Sequence, residues 1–253
     1  MKTWIKNALR RFGDRLSAVG DRLSALEYDC PAHPRFDQHD LDEAIAVIER
    51  HVKADGSLMT WDRSRKYLDP WRVYFYHAVL DVLESTGALR ERPQVLDIGV
   101  YFGYLLRIIH KHHPTADYHG AETNATPLAI AKELCPFANI SHATIDSLDD
   151  SRAYDVVLLT EVLEHLVHPE QALHRLASFS KMMPLTVPDG RMDTTQAMQF
   201  NRQWGSYRGH INFWSPESWQ NWLMRELPDH EVRTGKLPTK MLYAIVRGNG
   251  QQM

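Results

Sequence analysis

The chain has 253 residues, 43% of them hydrophobic and 24% charged, with a formal net charge of -3. This suits a globular core with an appendage, and the acidic balance argues against a nucleic-acid partner. No run is long and apolar enough to span a bilayer, and two cysteines, Cys30 and Cys135, make no disulfide framework. The first residues are basic but no secretory core follows them, so the cytoplasm is the expected compartment.

Residues 1–29 form a separate unit. GDRLSA occurs at 13–18 and again at 20–25. Ile5, Leu9, Phe12, Leu16, Val19, Leu23 and Leu26 alternate at spacings of four and three, which predicts one helix with a single heptad stripe. A lone helix of this length is marginal in water. It needs a surface: another copy in a homo-oligomer, the chain's own body, a partner protein, or a membrane surface met by Lys2, Lys6, Arg10, Arg11, Arg15 and Arg22.

Residues 30–89 read as a linker and helical cap. Cys30 to His39 is Pro-rich. A helix is expected from Asp40 over about 41–52, ended by Asp55-Gly56. Another spans about 70–86, with Pro70 in its first turn and Gly87 as C-cap. Both are expected to cover an edge or mouth of a sheet.

From residue 90 to 248 strands alternate with helices. Strands are expected at 95–97, 118–121, 140–143, 154–160 and 183–187, and helices at 102–111, 127–134 and 169–178. A late helix starts at Ser215-Pro216-Glu217, and strands near 230–234 and 241–246 follow with no helix between them. Strands at this spacing predict a mostly parallel three-layer α/β sheet, and the last two an antiparallel edge pair. YDVVLLT (154–160) is almost wholly apolar, as a sheet covered on both faces requires.

The candidate site lies in PQVLDIGVYFGYLLRIIH, residues 93–110. A strand ends in Asp97 and Gly99, and Gly103 opens a helix. Open α/β sheets bind ligands at such junctions. Asp97 can accept a hydrogen bond from a ligand amine. Glu122, in HGAETN, can accept both hydroxyls of a ribose, and Thr144 and Ile145 lie where an adenine would sit. The turn reads DxGxxxG: Tyr101 replaces the middle glycine of a dinucleotide fingerprint and crowds a pyrophosphate, so a nucleoside carrying an amino acid fits better than NAD.

These segments resemble the class I S-adenosylmethionine-dependent methyltransferases, the group that includes ubiquinone-biosynthesis and small-molecule O-methyltransferases. VLDIGVYFGYLL resembles the first motif of that family, and YDVVLLTEVLEHLVHPEQAL its fourth-strand motif. LTVPDG resembles the end of its fifth strand, and GHINFWSPESW a segment before its late helix. The resemblance implies a Rossmann-like seven-stranded fold and S-adenosylmethionine as cofactor, with S-adenosylhomocysteine as product. It implies a cofactor site of Asp97, Gly99, Tyr101, Gly103, Glu122, Thr144, Ile145, Thr160 and Glu161. Two departures stand out: the glycine pair that usually precedes strand five is absent, and Thr144 occupies the place of the usual adenine-binding aspartate.

Methyl transfer to a hydroxyl calls for a general base, a role suited to histidine. His165, past the fourth strand, and His210, before the late helix, are the candidates, each with a structural hydrogen-bonding role as the alternative. Residues 189–214 are longer than an ordinary connection and are expected to form a lid or substrate wall. Arg191, Arg202 and Arg208 offer charge there, and Trp204 and Tyr207, with Phe200, Phe213 and Trp214, offer stacking faces or a cluster that pins the loop. Tyr67, Arg72 and Tyr76 are candidates for the opposite wall. No metal-ligand set stands out. The expected activity is O-methylation of a small polar acceptor, such as a sugar or a natural-product or glycan precursor. The alternatives are N-methylation of an amine or protein side chain, a non-catalytic cofactor-binding scaffold, and an NAD oxidoreductase with the pyrophosphate room that Tyr101 removes.

Overall fold

The computed structural model describes residues 32–55, 68–191 and 210–248. The heptad unit at 1–29 lies outside them. Helix α1 spans Gln38–Asp55 and α2 Pro70–Thr86; then follow β1 Gln94–Ile98, α3 Tyr104–His112, β2 Asp117–Glu122, α4 Ala125–Leu134, β3 Ala138–His142, β4 Tyr154–Thr160, α5 Pro169–Ala177, β5 Ser180–Pro188, α6 Pro216–Glu226, β6 His230–Leu237 and β7 Met241–Gly248. The seven strands form one sheet in the order β3-β2-β1-β4-β5-β7-β6. β1 to β5 run parallel, and β7 is antiparallel to both β5 and β6. The Rossmann-like sheet and its antiparallel edge pair are therefore as the sequence predicts.

The strands are short apolar runs because side chains alternate across the sheet and both faces are covered. Val95, Val156 and Leu158 enter a core shared with α1 to α4. Leu96, Val157 and Leu159 enter a second core under α5 and α6. Helix α2 buries Val73, Phe75, Ala78, Val79, Leu80 and Leu83. Its Val79 and Val82 come against Leu185, Thr186 and Ile245 of β5 and β7, and Thr86 O accepts a hydrogen bond from Arg247 Nη2. It thus covers a face of the sheet instead of an edge, because its apolar residues surround too much of the helix for one-sided docking. Helix α1 packs on α4 and starts before Asp40, because Asp37 Oδ1 accepts the N–H groups of His39 and Asp40 and so caps it.

Order reverses between β1 and β4, so the crevice between the loops after those strands is the topological switch point. Among the described residues, no helix is long and apolar enough to cross a membrane.

Candidate active site

Asp97 lies near the end of β1, 3% exposed. Burial, and then the charge of Glu122, push its carboxyl pKa up to about 8. The chain turns through two left-handed glycines, Gly99 at φ +69° and Gly103 at φ +81°, with Tyr101 also left-handed at +49°. A Cβ on Gly99 would stand 3.1 Å from Val162 Cγ2 in the loop after β4, and one on Gly103 would stand 2.7 Å from Cys135 Sγ. Glycine is needed at both places for handedness and for close approach. Cys135 is a buried free thiol, and burial pushes its pKa up to about 12.

Glu122 ends β2, 4% exposed. Its Oε2 accepts the Tyr101 N–H at 3.0 Å. Its Oε1 accepts the N–H groups of Thr123 and Asn124 at 2.8 Å each and Asn124 Nδ2 at 3.1 Å. The carboxylate therefore ties the β1 turn to the β2 end with its orientation fixed. Beside it, Ala143 N donates to Glu122 O. Thr144 is exposed and caps the turn Ile145–Ser147, while Ile145 is half-buried and its carbonyl accepts Arg175 Nε at 3.0 Å. Asp97, Gly99, Tyr101, Gly103 and Glu122 thus form one cradle, with Thr144 and Ile145 on the loop beyond β3.

The loop after β4 forms the facing wall. Thr160 is half-buried and pairs with Thr186. Glu161 is left-handed at φ +57°, and its N–H donates to Thr186 O at 3.0 Å. Its carboxylate forms an ion pair with Arg72, which is 4% exposed. One residue expected on the cofactor side is thereby joined to one expected on the substrate side. The Arg72 guanidinium also lies over the Trp71 ring, 4.3 Å from its centroid. Tyr76 sets its ring edge-on to Tyr104, centroids 6.0 Å apart.

After Glu161 comes a single 3-10 turn, Leu163–His165. Glu164 is 1% exposed, and its carbonyl accepts the N–H groups of both Ile211 and Asn212. Asn212 Nδ2 donates to Leu163 O at 3.2 Å and to Leu166 O at 2.6 Å. These bonds bring His210 to His165, ring centroids 4.6 Å apart and planes 73° apart. Ligand atoms of Glu164, His165 and His210 lie within 4.8 Å of one another. The two histidines are far apart in the chain, so no spacing rule joins them; the lock that does so runs through backbone groups and Asn212.

In the expected lid, Arg191 is held by Asp189 in a two-pronged pair, Nε–Oδ1 3.1 Å and Nη2–Oδ2 2.7 Å. Trp214 turns inward onto Trp219 and Trp222. It pins the loop to the body instead of offering a face to a ligand, because its indole completes the core under α6. Tyr67, Phe200, Arg202, Trp204, Tyr207 and Arg208 lie outside the described residues.

Comparison with solved structures finds the same fold at low identity. The plantazolicin methyltransferase BpumL, solved with a triazolic desmethylPZN analog and SAH, matches with a TM-score of 0.61 at 15% identity, over 84% of this chain and 100% of that one. A provisionally assigned O-methyltransferase of Nostoc punctiforme matches with 0.58 at 16% identity, over 82% and 69%. The methyltransferase domain of bacterial CtHen1-C matches with 0.51 at 17% identity, over 68% and 96%. Comparison with curated proteins finds no match. The model of a family described as a methyltransferase domain matches residues 71–226. That span runs from α2 through the cradle, the facing wall and α6. The chain therefore belongs to the class I S-adenosylmethionine-dependent methyltransferases.

Proposed function

We propose that this methyltransferase acts on a hydroxyl oxygen of a small polar acceptor, a sugar or another building block of natural-product or glycan assembly. The observation that carries this reading is the meeting of His165 and His210 beside the cradle. A hydroxyl must lose its proton as it is methylated, whereas a neutral amine attacks through its own lone pair.

The residues present fit the cofactor. Glu122 offers a fixed carboxylate to a pair of hydroxyls. Asp97 offers a second carboxyl to an ammonium, and it lies at the strand end beside Glu122. S-adenosylmethionine, when bound, supplies a methyl group made electrophilic by its sulfonium. The protein's part is to hold donor and acceptor in line and keep water out. The Arg72–Glu161 pair fixes the wall opposite Gly99. The hydroxyl proton leaves at the mouth, where the two imidazoles stand.

The test is a set of acceptors that differ only in carrying a hydroxyl or an amine, with products read by mass spectrometry. Methylation of the hydroxyl compounds, lost in His165→Ala and His210→Ala while affinity for S-adenosylhomocysteine is kept, is the expected result. Methylation of the amines alone, or full activity in both variants, would overturn the reading.

A further inference from the structure

The group at the mouth has a composition that proton transfer alone does not require. Two imidazoles and a carboxylate converge within 4.8 Å. The carboxylate belongs to Glu164, which is 1% exposed, and both of its oxygens are buried. The two rings approach nearly at right angles, so their nitrogens can face one point without the rings stacking. The backbone bonds from Ile211 and Asn212 to Glu164 fix the third arm without using a side-chain donor of the group.

We infer that Glu164, His165 and His210 form a binding site for one first-row divalent cation. Two imidazole nitrogens and one carboxylate oxygen are borderline donors. They favour Mn²⁺, Fe²⁺, Co²⁺ or Zn²⁺ over Mg²⁺, which prefers oxygen ligands and retains its water. Three protein ligands are the number found in sites that keep positions open for substrate. Burial orders the ligands: Glu164 is enclosed, His210 half-buried and His165 exposed, so the open positions face the mouth. An ion held there lowers the pKa of a hydroxyl that reaches it. With the ion bound, the two imidazoles act on the hydroxyl through it instead of as the base, and the acceptor's proton leaves to water at the mouth. This chemical role rests on the O-methylation reading above, but the binding of the ion does not.

The experiment uses the full-length protein, stripped with chelator and dialysed, with neither cofactor nor acceptor present. Mn²⁺, Zn²⁺ and Mg²⁺ are titrated separately by calorimetry, and Co²⁺ is followed by its visible absorption. One Mn²⁺, Zn²⁺ or Co²⁺ per chain is expected, with Mg²⁺ weaker by at least about tenfold. His165→Gln and Glu164→Gln should each weaken Zn²⁺ binding at least about tenfold, with S-adenosylhomocysteine affinity unchanged. His165 is exposed, so its variant stays informative even if Glu164→Gln fails to fold. Absence of a stoichiometric ion, or equal affinity in His165→Gln, overturns the proposal. Metal binding without hydroxyl methylation would leave this site standing and refute the acceptor reading instead.

Discussion

Cofactor binding should expel a proton from Asp97. Burial, and then the charge of Glu122, push its carboxyl pKa up to about 8. At pH 7 it therefore carries about 0.9 of a proton. An ammonium seated about 4 Å away contributes about 4 kcal/mol at an effective dielectric near 20, enough to lower the pKa by about three. That brings the group to about 5 and leaves it almost fully ionised at neutral pH. Binding of S-adenosylhomocysteine at pH 7 should then release about 0.9 proton per chain. The release should shrink to about 0.1 at pH 9, where Asp97 is already ionised, and to about 0.5 at pH 5, where the bound form regains part of its proton. Calorimetry in buffers of different ionisation enthalpy reads this number as the slope of observed heat against buffer enthalpy. Asp97→Asn should give a slope of zero. A zero slope in the unaltered protein, or the same slope in Asp97→Asn, would refute the assignment of a protonated carboxyl facing the ligand's amine.

Stability should vary with pH through two buried groups of opposite sense. Asp97 is raised from 3.8 to about 8, so the folded state holds a proton that the unfolded chain has released. Its contribution is whole below about 4 and is lost as pH rises to about 8, at a slope of up to ~1.4 kcal/mol per pH unit. His77 is lowered from 6.5 to about 4 by burial and then by the nearby His33, so its contribution is whole above 6.5 and is lost as pH falls to about 4. The two offset between pH 4 and 6.5, and a net decline remains from 6.5 to 8. Urea unfolding of Asp97→Asn should show that decline gone and an upward slope exposed below 6.5; an unchanged profile would show that Asp97 is not held protonated. Arg72→Met should cost about 3 kcal/mol, the lower end for a broken buried pair, because the Glu161 side chain keeps 17% of its surface. Adding Glu161→Gln should return part of that loss, and strict additivity in denaturant melts would mean that the pair carries no coupling.

Local pattern reached the framework because framework elements are specified locally. Tyr154–Thr160 is a strand with the bounds its apolar run implies. The late helix starts with Ser215 capping and Pro216 following, as residue type alone demands. The boundaries that moved were set by features hidden from composition. Helix α3 starts at Tyr104 because Gly103 is left-handed. Helix α4 starts at Ala125 and takes Pro127 into its first turn, where a missing N–H leaves no acceptor unserved. In the site, Asp97, Gly99 and Glu122 were legible because each sits at a strand end that the pattern located. The Arg72–Glu161 pair and the Glu164–His165–His210 group were not, since tertiary packing alone brings together residues from before and after the parallel strands.

The anchorage around Gly190 and Asn212 has a consequence for how this enzyme can change. Gly190 N donates to Trp214 O at 2.7 Å, and Asp189 bridges Trp214. The Asn212 side chain grips two carbonyls of the turn after β4. The described residues on either side of 192–209 are thus fastened to the body, Asp189 and Gly190 before that stretch and Asn212 after it. Loop extension costs little in chain entropy, so a change of chain length between the two anchors should leave the end of β5 and the turn after β4 in place.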